Sequence, residues 1–427
     1  MIGIIVGLGL LMFLAYKGMS IIWIAPLTAG IVALTGGLDL LDAYTVDYMG
    51  GFVGFARAWF PVFMLGAIFG KVMDDSGAAR SVAHWIIKRI GSKQSILAVV
   101  LGCAVLTYGG VSLFVVVFAM YPLAVALFRE ANLSRKLIPG AIALGSFTFT
   151  MTAIPGTPQI QNLIPMNYYN TTPTAAPIMG IAGAIIMLVV GMLWLKRSEK
   201  KRTAAGDVYV ELPGKIVEVD VDQLPNPLVS FLPLLVVILL LNVFNFDIII
   251  ALGAGILFAL AVNWTRIDDK IKTVNAGAAG SVQAIINTSA AVGFGAVVRA
   301  VPGFTTLSNL VMGIEGNPLI SQAVSVNILA GATGSASGGM GIALEALGDQ
   351  YMALATATGI SPEAFHRVAS LSSGGLDTLP HNGAVLTLLA VTAMTHKDSY
   401  KDIFMVGSVI PVLAVIAAII LASVGLV

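Results

Sequence analysis

One short polar segment, SSGGLDTLPHNG at residues 372–383, interrupts an apolar run and carries the side chains best suited to chemistry. Within it Asp377 and His381 are four residues apart, and histidine exchanges protons near neutral pH. A charged group is costly inside a hydrophobic segment, so its presence there indicates a function. We predict that Asp377 and His381 form a proton-sensitive pair. The structural alternative is that Asp377 only caps the half-helix that begins after Pro380.

A second segment, TMTAIPGTPQIQ at residues 150–161, has the same character but no ionisable side chain. Its Pro155 lies 225 positions before Pro380, and Ser112 lies 225 positions before Ser337. Matching offsets in the same order indicate an internal repeat with one interrupted helix in each half. At an interruption the backbone loses its helical partners, so half-helix N-termini suit a carboxylate and free carbonyls suit a cation.

The composition identifies a membrane as the environment of these interruptions. Of 427 residues, 57% are hydrophobic and 11% are charged, and the mean hydropathy is +0.93. A soluble domain carries about 25% charged residues, whereas apolar runs of about 20 residues, each able to cross a bilayer, recur along this chain. We therefore predict a multi-pass membrane protein whose first segment is a spanning helix rather than a cleaved signal.

Charge and cysteine content exclude other classes of partner. The net charge of +1 argues against a nucleic-acid partner, which requires a basic surface. The single Cys103 excludes an intrachain disulfide and a multi-cysteine metal site. We expect no metal and no cofactor.

The elements that position the interruptions follow from the same patterns. A polar stretch at residues 196–227 is predicted to be a cytoplasmic linker between two halves, residues 1–195 and 228–427. Each half is predicted to contain three helices, a re-entrant hairpin, a broken helix and a final helix. The hairpins are predicted at about 95–128 and 319–344, and the broken helices at about 137–166 and 366–395.

Basic residues that flank the loops predict the orientation. All the basic clusters fall on one side only if both hairpins enter and leave on the same face. The chain then crosses the membrane about ten times with both termini outside. Each half accounts for five crossings, and because five is odd, the two halves have opposite orientations. The predicted fold class is an all-α polytopic membrane protein with two inverted repeats, the architecture of secondary transporters.

The predicted substrate site combines both interruptions with the glycine-rich hairpin tips TYGGVS and GATGSASGGMG. It is rich in hydroxyl and amide groups and poor in fixed charge, which fits a small hydroxylated anion better than a peptide, a sugar polymer or a lipid. Asp377 and His381 are the candidate coupling residues, and no catalytic residue is assigned. The candidate substrate-binding residues are Tyr108, Gly109, Gly110, Ser112, Thr152, Gly156, Thr157, Gln159, Ser335, Ser337, Thr378, His381 and Asn382.

Other polar residues have simpler explanations. Glu363 and His366 are expected in the first, solvated turn of a helix, and Arg299 is expected to extend outward to water. The SASG sequence at residues 335–338 with a distant His381 is a weak match to the serine–histidine dyad of an intramembrane hydrolase, because a tight hairpin tip also requires glycine and serine. A channel is a further alternative, but the sequence has no repeated selectivity filter or ring-forming charge pattern.

The sequence resembles the gluconate permease family of the ion transporter superfamily, and more narrowly its 3-hydroxybutyrate permease-like branch. The resemblance covers nearly the whole chain and rests on TYGGVSLFVVVFAMYPLA, GSFTFTMTAIPGTPQIQN, AVGFGAVVRAVPGF and SSGGLDTLPHNGAVLTLLAVTAMTHKDSYKD. It implies uptake of a small hydroxy-monocarboxylate across the bacterial cytoplasmic membrane by cation symport, commonly with protons. It also implies an elevator mechanism and a homodimer.

The sequence departs from gluconate-type members of that family at two places. Those members carry an acidic residue at the first hairpin tip and a histidine in the first interruption, where this chain has YGG at residues 108–110 and PGTP at residues 155–158. Fewer polar groups there favour a short acid such as 3-hydroxybutyrate over a sugar acid. Gluconate or another sugar acid is the alternative substrate, and sodium is the alternative coupling ion, because hydroxyl and carbonyl oxygens also suit a hard cation.

Overall fold

The computed structural model describes residues 2–17, 19–211, 221–306, 317–380 and 382–427. Within these ranges every regular element is a helix, as the composition predicts. His381, one of the two predicted coupling residues, lies outside the described residues.

The described helices of the N-terminal half reproduce the predicted order. The hairpin corresponds to α5 and α6, and the broken helix corresponds to α7 and α8 with one helical turn, Phe149–Thr152, between them. An amphipathic helix, α4, precedes the hairpin. The bounds are α1 (Ile2–Tyr16), α2 (Ile21–Gly36), α3 (Leu40–Asp75), α4 (Ala78–Ile90), α5 (Ser95–Tyr108), α6 (Leu113–Glu130), α7 (Ile138–Ser146), α8 (Ile160–Tyr169) and α9 (Pro177–Ala204).

The C-terminal half repeats this order. Its hairpin is α13 and α14, and its broken helix is α15 and α16. Ser335 and Asn382 begin the second member of each pair as N-caps, because their side chains accept hydrogen bonds from the backbone N–H groups of Gly338 and Val385. The bounds are α10 (Pro227–Asn242), α11 (Ile248–Val262), α12 (Lys270–Ala300), α13 (Pro318–Thr333), α14 (Ala336–Thr358), α15 (Pro362–Ser373), α16 (Gly383–Thr392) and α17 (His396–Ser423).

The third helices of the two halves, α3 and α12, run antiparallel. Gly51, early in α3, lies against Gly293, late in α12, whereas Gly277 lies against Ile68. A Cβ at Gly277 would be 2.7 Å from Ile68 Cα, so the two backbones approach closely at that glycine. Helices α3 and α12 occupy the same position in the two halves. Because they run antiparallel, the axis that relates the halves is a two-fold axis perpendicular to these helices.

The final helices of the two halves, α9 and α17, are also antiparallel. Trp194 and Arg202, near the end of α9, donate hydrogen bonds of 3.0 Å and 3.1 Å to Asp402, near the start of α17. The rest of α17 packs back along α9. The second helix of each half packs on the third helix of the other half: α2 packs on α12, and α11 packs on α3. The predicted inverted repeat is therefore confirmed.

Five of the described helices are long and apolar enough to cross a membrane: α3, α6, α9, α12 and α17. The shorter apolar helices include α1, α2, α10 and α11, together with α13 of the second hairpin and α16 of the second broken helix. The protein is thus an integral, multi-pass membrane protein. The count of ten crossings and the re-entrant depth of the hairpins stay predictions.

The predicted linker begins as a continuation of α9 and then docks beside the end of the first hairpin. Asp207 accepts hydrogen bonds from Ser134 Oγ at 3.0 Å, Lys136 Nζ at 3.2 Å and Arg202 Nη1 at 3.1 Å. Although partial burial acts to raise it, these bonds hold the pKa of Asp207 below its ordinary range. The start of the linker is therefore tied to the helices rather than freely solvated.

Candidate functional site

The first break, residues 153–159, is held by backbone and amide contacts. Gly156 has φ +80°, a conformation that favours glycine. Its N–H donates to Pro173 O at 2.8 Å, and its carbonyl accepts a hydrogen bond from Asn242 Nδ2 at 2.9 Å. A group from α10, in the other half, therefore closes the first break.

The first tip, residues 108–112, rests on the first break of its own half. Tyr108 Oη donates to Pro155 O at 3.2 Å. Gln159 Nε2 donates to Thr107 O at 2.7 Å, and therefore satisfies one of the carbonyls at the end of α5. The hairpin and the broken helix of the first half are thus joined by neutral hydrogen bonds.

The second break, residues 374–382, contains a buried carboxyl group. Asp377 is 6% exposed. Its side chain accepts a hydrogen bond of 2.8 Å from Asn382 Nδ2 and another from the backbone N–H of Ala336. Asn382 Nδ2 also donates to Gly334 O at 2.9 Å. The second tip, residues 333–337, is therefore tied to its break through Asp377 and Asn382.

The start of α17 supports the second break from another side. Thr378 Oγ1 lies 2.8 Å from Ser408 Oγ, and Thr378 O accepts a hydrogen bond from Tyr400 Oη at 3.1 Å. His396 Nε2 contacts Pro380 O at 2.9 Å. The start of α17 therefore contacts the break directly through His396.

The two breaks meet at Thr152 and the end of α15. Ser370 Oγ donates to Thr152 O at 2.8 Å, and a Cβ at Gly374 would lie 3.2 Å from Thr152 Cγ2. The three residues of this junction come from the two broken-helix segments that the repeat makes equivalent. The structure therefore assembles one polar region from the two halves.

A buried arginine, Arg367 on α15, bridges the halves and was missed by the sequence analysis. It is 0% exposed. Its guanidinium donates to Asn162 Oδ1 at 2.9 Å, to Thr152 O at 3.4 Å, and through Nε to Ala175 O at 3.1 Å. Among the described residues no carboxylate lies within ion-pair distance of it. Because all its acceptors belong to the first half, Arg367 brings a positive charge to the first break.

Glu363 is exposed in the first turn of α15, as predicted, whereas the prediction of a solvated turn is wrong for His366. His366 is 0% exposed, with Nδ1 2.6 Å from Thr171 Oγ1 and Nε2 3.3 Å from Asn162 Oδ1. Glu363 Oε2 accepts a hydrogen bond from the Ala176 N–H at 2.9 Å. The loop before α9 covers this face of α15, which a single-sequence pattern does not reveal. A signal was present, since residues 363–367 place three ionisable groups on one short helix.

Arg299 does extend outward, as predicted. Its side chain is 48% exposed and forms ion pairs with Glu345 at 3.7 Å and Asp349 at 3.0 Å. This group lies apart from the breaks and has the exposure of an ordinary surface ion pair.

The second tip uses its serines structurally. Ser335 Oγ caps α14 by accepting from the Gly338 N–H at 3.1 Å. Ser337 Oγ lies 3.4 Å from Thr288 Oγ1 on α12. These contacts explain the serines of the weak hydrolase motif as parts of a helix start and of its packing.

Several buried side-chain oxygens around the breaks and tips have no hydrogen-bond partner among the described residues. They belong to Thr107, Gln161, Asn242, Asn327 and Ser372. Asn242 and Asn327 lie against Gly156 and Gly375, one in each break. Buried polar atoms are ordinarily paired, so this group of oxygens can bind a polar ligand.

Of the predicted site residues, the structure brings most into one connected region. Thr152 joins the breaks, Tyr108 and Gln159 join the first tip to the first break, and Asn382 and Asp377 join the second tip to the second break. Thr157 donates to Thr150 O at 2.8 Å inside the first break. Gly156 and Thr378 lie in the breaks, and five further members lie at the tips: Gly109, Gly110, Ser112, Ser335 and Ser337.

The chain is similar to known membrane permeases. A model of the GntP family permeases matches residues 1–252. The chain is 45% identical to the uncharacterized transporter YxjC of Bacillus subtilis strain 168, over 97% of both chains. It is 26% identical to the high-affinity gluconate transporter of Escherichia coli strain K12, over 56% of this chain and 52% of that protein.

The fold is also known from a solved structure. The crystal structure of the Alcanivorax borkumensis YdaH transporter resembles it with a TM-score of 0.61, over 90% of this chain and 88% of that chain. Sequence identity is 14%, so this likeness concerns the fold alone.

Proposed function

We propose that this chain, which belongs to the GntP permease family, imports a short hydroxy-monocarboxylate such as 3-hydroxybutyrate together with protons. As a permease it is a transporter and not an enzyme. The proposed setting is the bacterial cytoplasmic membrane, and the proposed form is a homodimer. In the proposed elevator mechanism, each hairpin moves together with the broken helix on which its tip rests.

The observation that carries the proposal is the paired arrangement of breaks and tips around buried polar groups. In the proposed site the substrate carboxylate lies against the N-termini of α8 and α16, whose free N–H groups favour an anion. The buried charge of Arg367 adds to the positive potential of this region. The site residues are the predicted set, with Arg367 acting through the first break.

The unpartnered oxygens favour a substrate that carries a hydroxyl donor. Amide oxygens of Gln161, Asn242 and Asn327 accept hydrogen bonds and donate none. A hydroxy acid supplies both the carboxylate for the helix N-termini and the hydroxyl for such acceptors. A site that pairs buried acceptors with a hydroxyl discriminates strongly against an analogue that lacks it.

Asp377 is the proposed proton carrier. Its carboxylate accepts hydrogen bonds from both the tip and the break. Protonation turns one acceptor oxygen into a donor, which weakens the connection between the second tip and its break. Proton binding and tip movement are then linked through one side chain. Asp377 and His381 together are the proposed coupling pair.

Gluconate and sodium are the competing assignments. The relation to the Escherichia coli high-affinity gluconate transporter favours gluconate as the second substrate candidate. The same amide and hydroxyl oxygens that suit a substrate hydroxyl also suit Na⁺.

Uptake by proteoliposomes tests these assignments. Labelled 3-hydroxybutyrate, unlabelled butyrate as the analogue without the hydroxyl, and labelled gluconate are compared under a proton gradient and, separately, a sodium gradient. We expect 3-hydroxybutyrate to accumulate only with the proton gradient, with inhibition by 3-hydroxybutyrate far stronger than by butyrate. Accumulation of gluconate alone, or accumulation driven by sodium alone, would replace the corresponding part of the proposal.

A further inference from the structure

A cavity of about 790 Å³ opens beside the end of the first hairpin that lies opposite its tip, which we call the foot of the hairpin. None of the break or tip residues lines it. Its walls come from the turn that leads into α5, the turn that follows α6, and the last turns of α9. Ile96, Leu97 and Leu133 form part of an apolar wall. We call it the lysine cavity, because lysines provide its charge.

Three lysines line this cavity, Lys93, Lys196 and Lys200, and Glu199 is the acidic residue among the described lining residues. Lys196 Nζ donates to Gln94 Oε1 at 3.1 Å. No ion pair between described residues includes any of the three lysines. The lysine cavity therefore carries an excess of positive charge.

Two arginines near the cavity are paired with carboxylates. Arg202 pairs with Asp402 at 3.1 Å and with Asp207 at 3.1 Å. Arg129 pairs with Glu211 at 2.8 Å. These arginines serve the fold, whereas the three cavity lysines face the cavity with no carboxylate of the described residues within ion-pair distance.

The cavity opens where α9 changes from apolar to polar. Trp194 and Leu195 end the apolar part of α9, and Lys196 begins its basic part. Tryptophan and lysine mark the interface between membrane and water. The cavity thus lies at headgroup level, on the face that the basic clusters predict to be cytoplasmic.

We propose that the lysine cavity binds a phosphate group, carried by the headgroup of an anionic phospholipid or by a soluble phosphate. Lysine ammonium groups bind phosphate as point charges, and basic pockets between helices on the cytoplasmic side suit lipid headgroups. The apolar wall beside the lysines suits the first carbons of an acyl chain. The bound group would join the foot of the first hairpin to the end of α9.

Thermal unfolding of the purified full-length protein in detergent tests the proposal. The added probes are phosphatidylglycerol, phosphatidylcholine, inorganic phosphate, and sodium chloride at matched ionic strength. A ligand that binds only the folded state raises the transition temperature. We expect phosphatidylglycerol or inorganic phosphate to raise it, and phosphatidylcholine and chloride to leave it unchanged.

Two variants and one matched control make the test specific. Each lysine near a membrane surface contributes about fivefold to binding of an anionic headgroup. Lys196→Gln/Lys200→Gln should therefore need about 25-fold more probe for the same shift, and Glu199→Gln about fivefold less. Lys270→Gln/Lys272→Gln removes two lysines from the same predicted face outside the cavity and should behave as the wild type.

The outcomes separate the two sources of phosphate. A response to phosphatidylglycerol alone identifies a lipid site, and an equal response to inorganic phosphate identifies a soluble ligand. The proposal is overturned if the cavity variant and the matched control respond alike, or if no phosphate-bearing probe exceeds phosphatidylcholine and chloride.

Discussion

The first and second breaks share a backbone plan but are held by different groups. The first is closed by neutral hydrogen bonds and by side chains from the other half, Asn242 and Arg367. The second is held within its own half through Asp377 and Asn382. Arg367 and Asp377, the buried ionisable groups that contact the breaks, both belong to the C-terminal half. Arg367 contacts the first break and Asp377 lies in the second. The repeat therefore duplicates the geometry, while a few substitutions give the two breaks different chemistry.

Replacement of Arg367 by methionine should have the largest effect on this comparison. The change removes the side-chain donor of Ala175 O and one donor each from Thr152 O and Asn162 Oδ1, which keep Ser370 and His366 as partners, and a buried unpaired acceptor is costly. Because hydrogen bonds to a charged group contribute about 1.5–3 kcal/mol each, we expect a loss of about 3–5 kcal/mol of stability and loss of uptake. Thermal unfolding in detergent and uptake in proteoliposomes measure the two effects.

Arg299→Gln provides the matched control. It removes an arginine whose side chain is 48% exposed and paired with Glu345 and Asp349, so we expect a change of about 1 kcal/mol at most. Equal destabilisation by the two substitutions would show that Arg367 has no special role between the halves.

Asp377→Asn should separate coupling from folding. The asparagine oxygen can still accept from Asn382 and Ala336, so we expect unfolding within about 1 kcal/mol of the wild type. Without an ionisable group, proton-driven accumulation should fall by about 10- to 100-fold, the size of a typical proton-transfer contribution. Exchange of substrate across the membrane at equilibrium should persist, because it requires no net proton movement.

The control for that experiment is Asp349→Asn, which changes a carboxylate that is 82% exposed. It should leave both accumulation and exchange unchanged. If Asp377→Asn accumulates substrate with the wild-type dependence on pH, Asp377 is not the proton carrier.

The symmetric features of the fold could be predicted from the sequence, whereas contacts between the halves could not. Pro155 and Pro380, with their common offset, located both breaks, and glycine runs located both hairpin tips, because helix breakers act locally. Asp377 was found because a carboxyl group inside an apolar run is itself unusual.

Arg367 and His366 were not found because their burial depends on a distant part of the chain. Their helix is short, and the loop before α9, about 190 residues earlier in the sequence, covers it. A periodic pattern within α15 reports that one face is apolar, but not that its polar face is covered as well. The sequence also did not predict that α9 continues into the linker. Lysine, arginine and glutamate have high helix propensity, so they extend the helix that the preceding apolar segment begins.

Replacement of Asn382 by alanine tests whether the second break depends on its own half. The side chain caps α16, donates to Gly334 O and donates to Asp377. Loss of a cap costs about 1 kcal/mol, and loss of partners for the buried carboxyl adds to it, so we expect about 2–3 kcal/mol in total. Thermal unfolding measures this loss of stability. The comparison variant is Gln159→Ala, which removes the hydrogen bond to Thr107 O at the first tip and should cost about 1 kcal/mol. An equal cost for both would contradict the asymmetry.

The smallest expected effect concerns the glycine of the first break. Gly156→Ala places a Cβ at φ +80° and 2.7 Å from Asn242 Oδ1, which strains the backbone by about 1–2 kcal/mol and displaces a flexible side chain. Gly383→Ala, at the start of α16, is the control, because its Cβ would meet nothing within 4 Å and alanine favours helix over glycine. Thermal unfolding should therefore show a loss at the first break and none at the second. If both substitutions are neutral, the contact between α10 and the first break does not hold the halves together, and the contacts of α15, including those of Arg367, carry that connection.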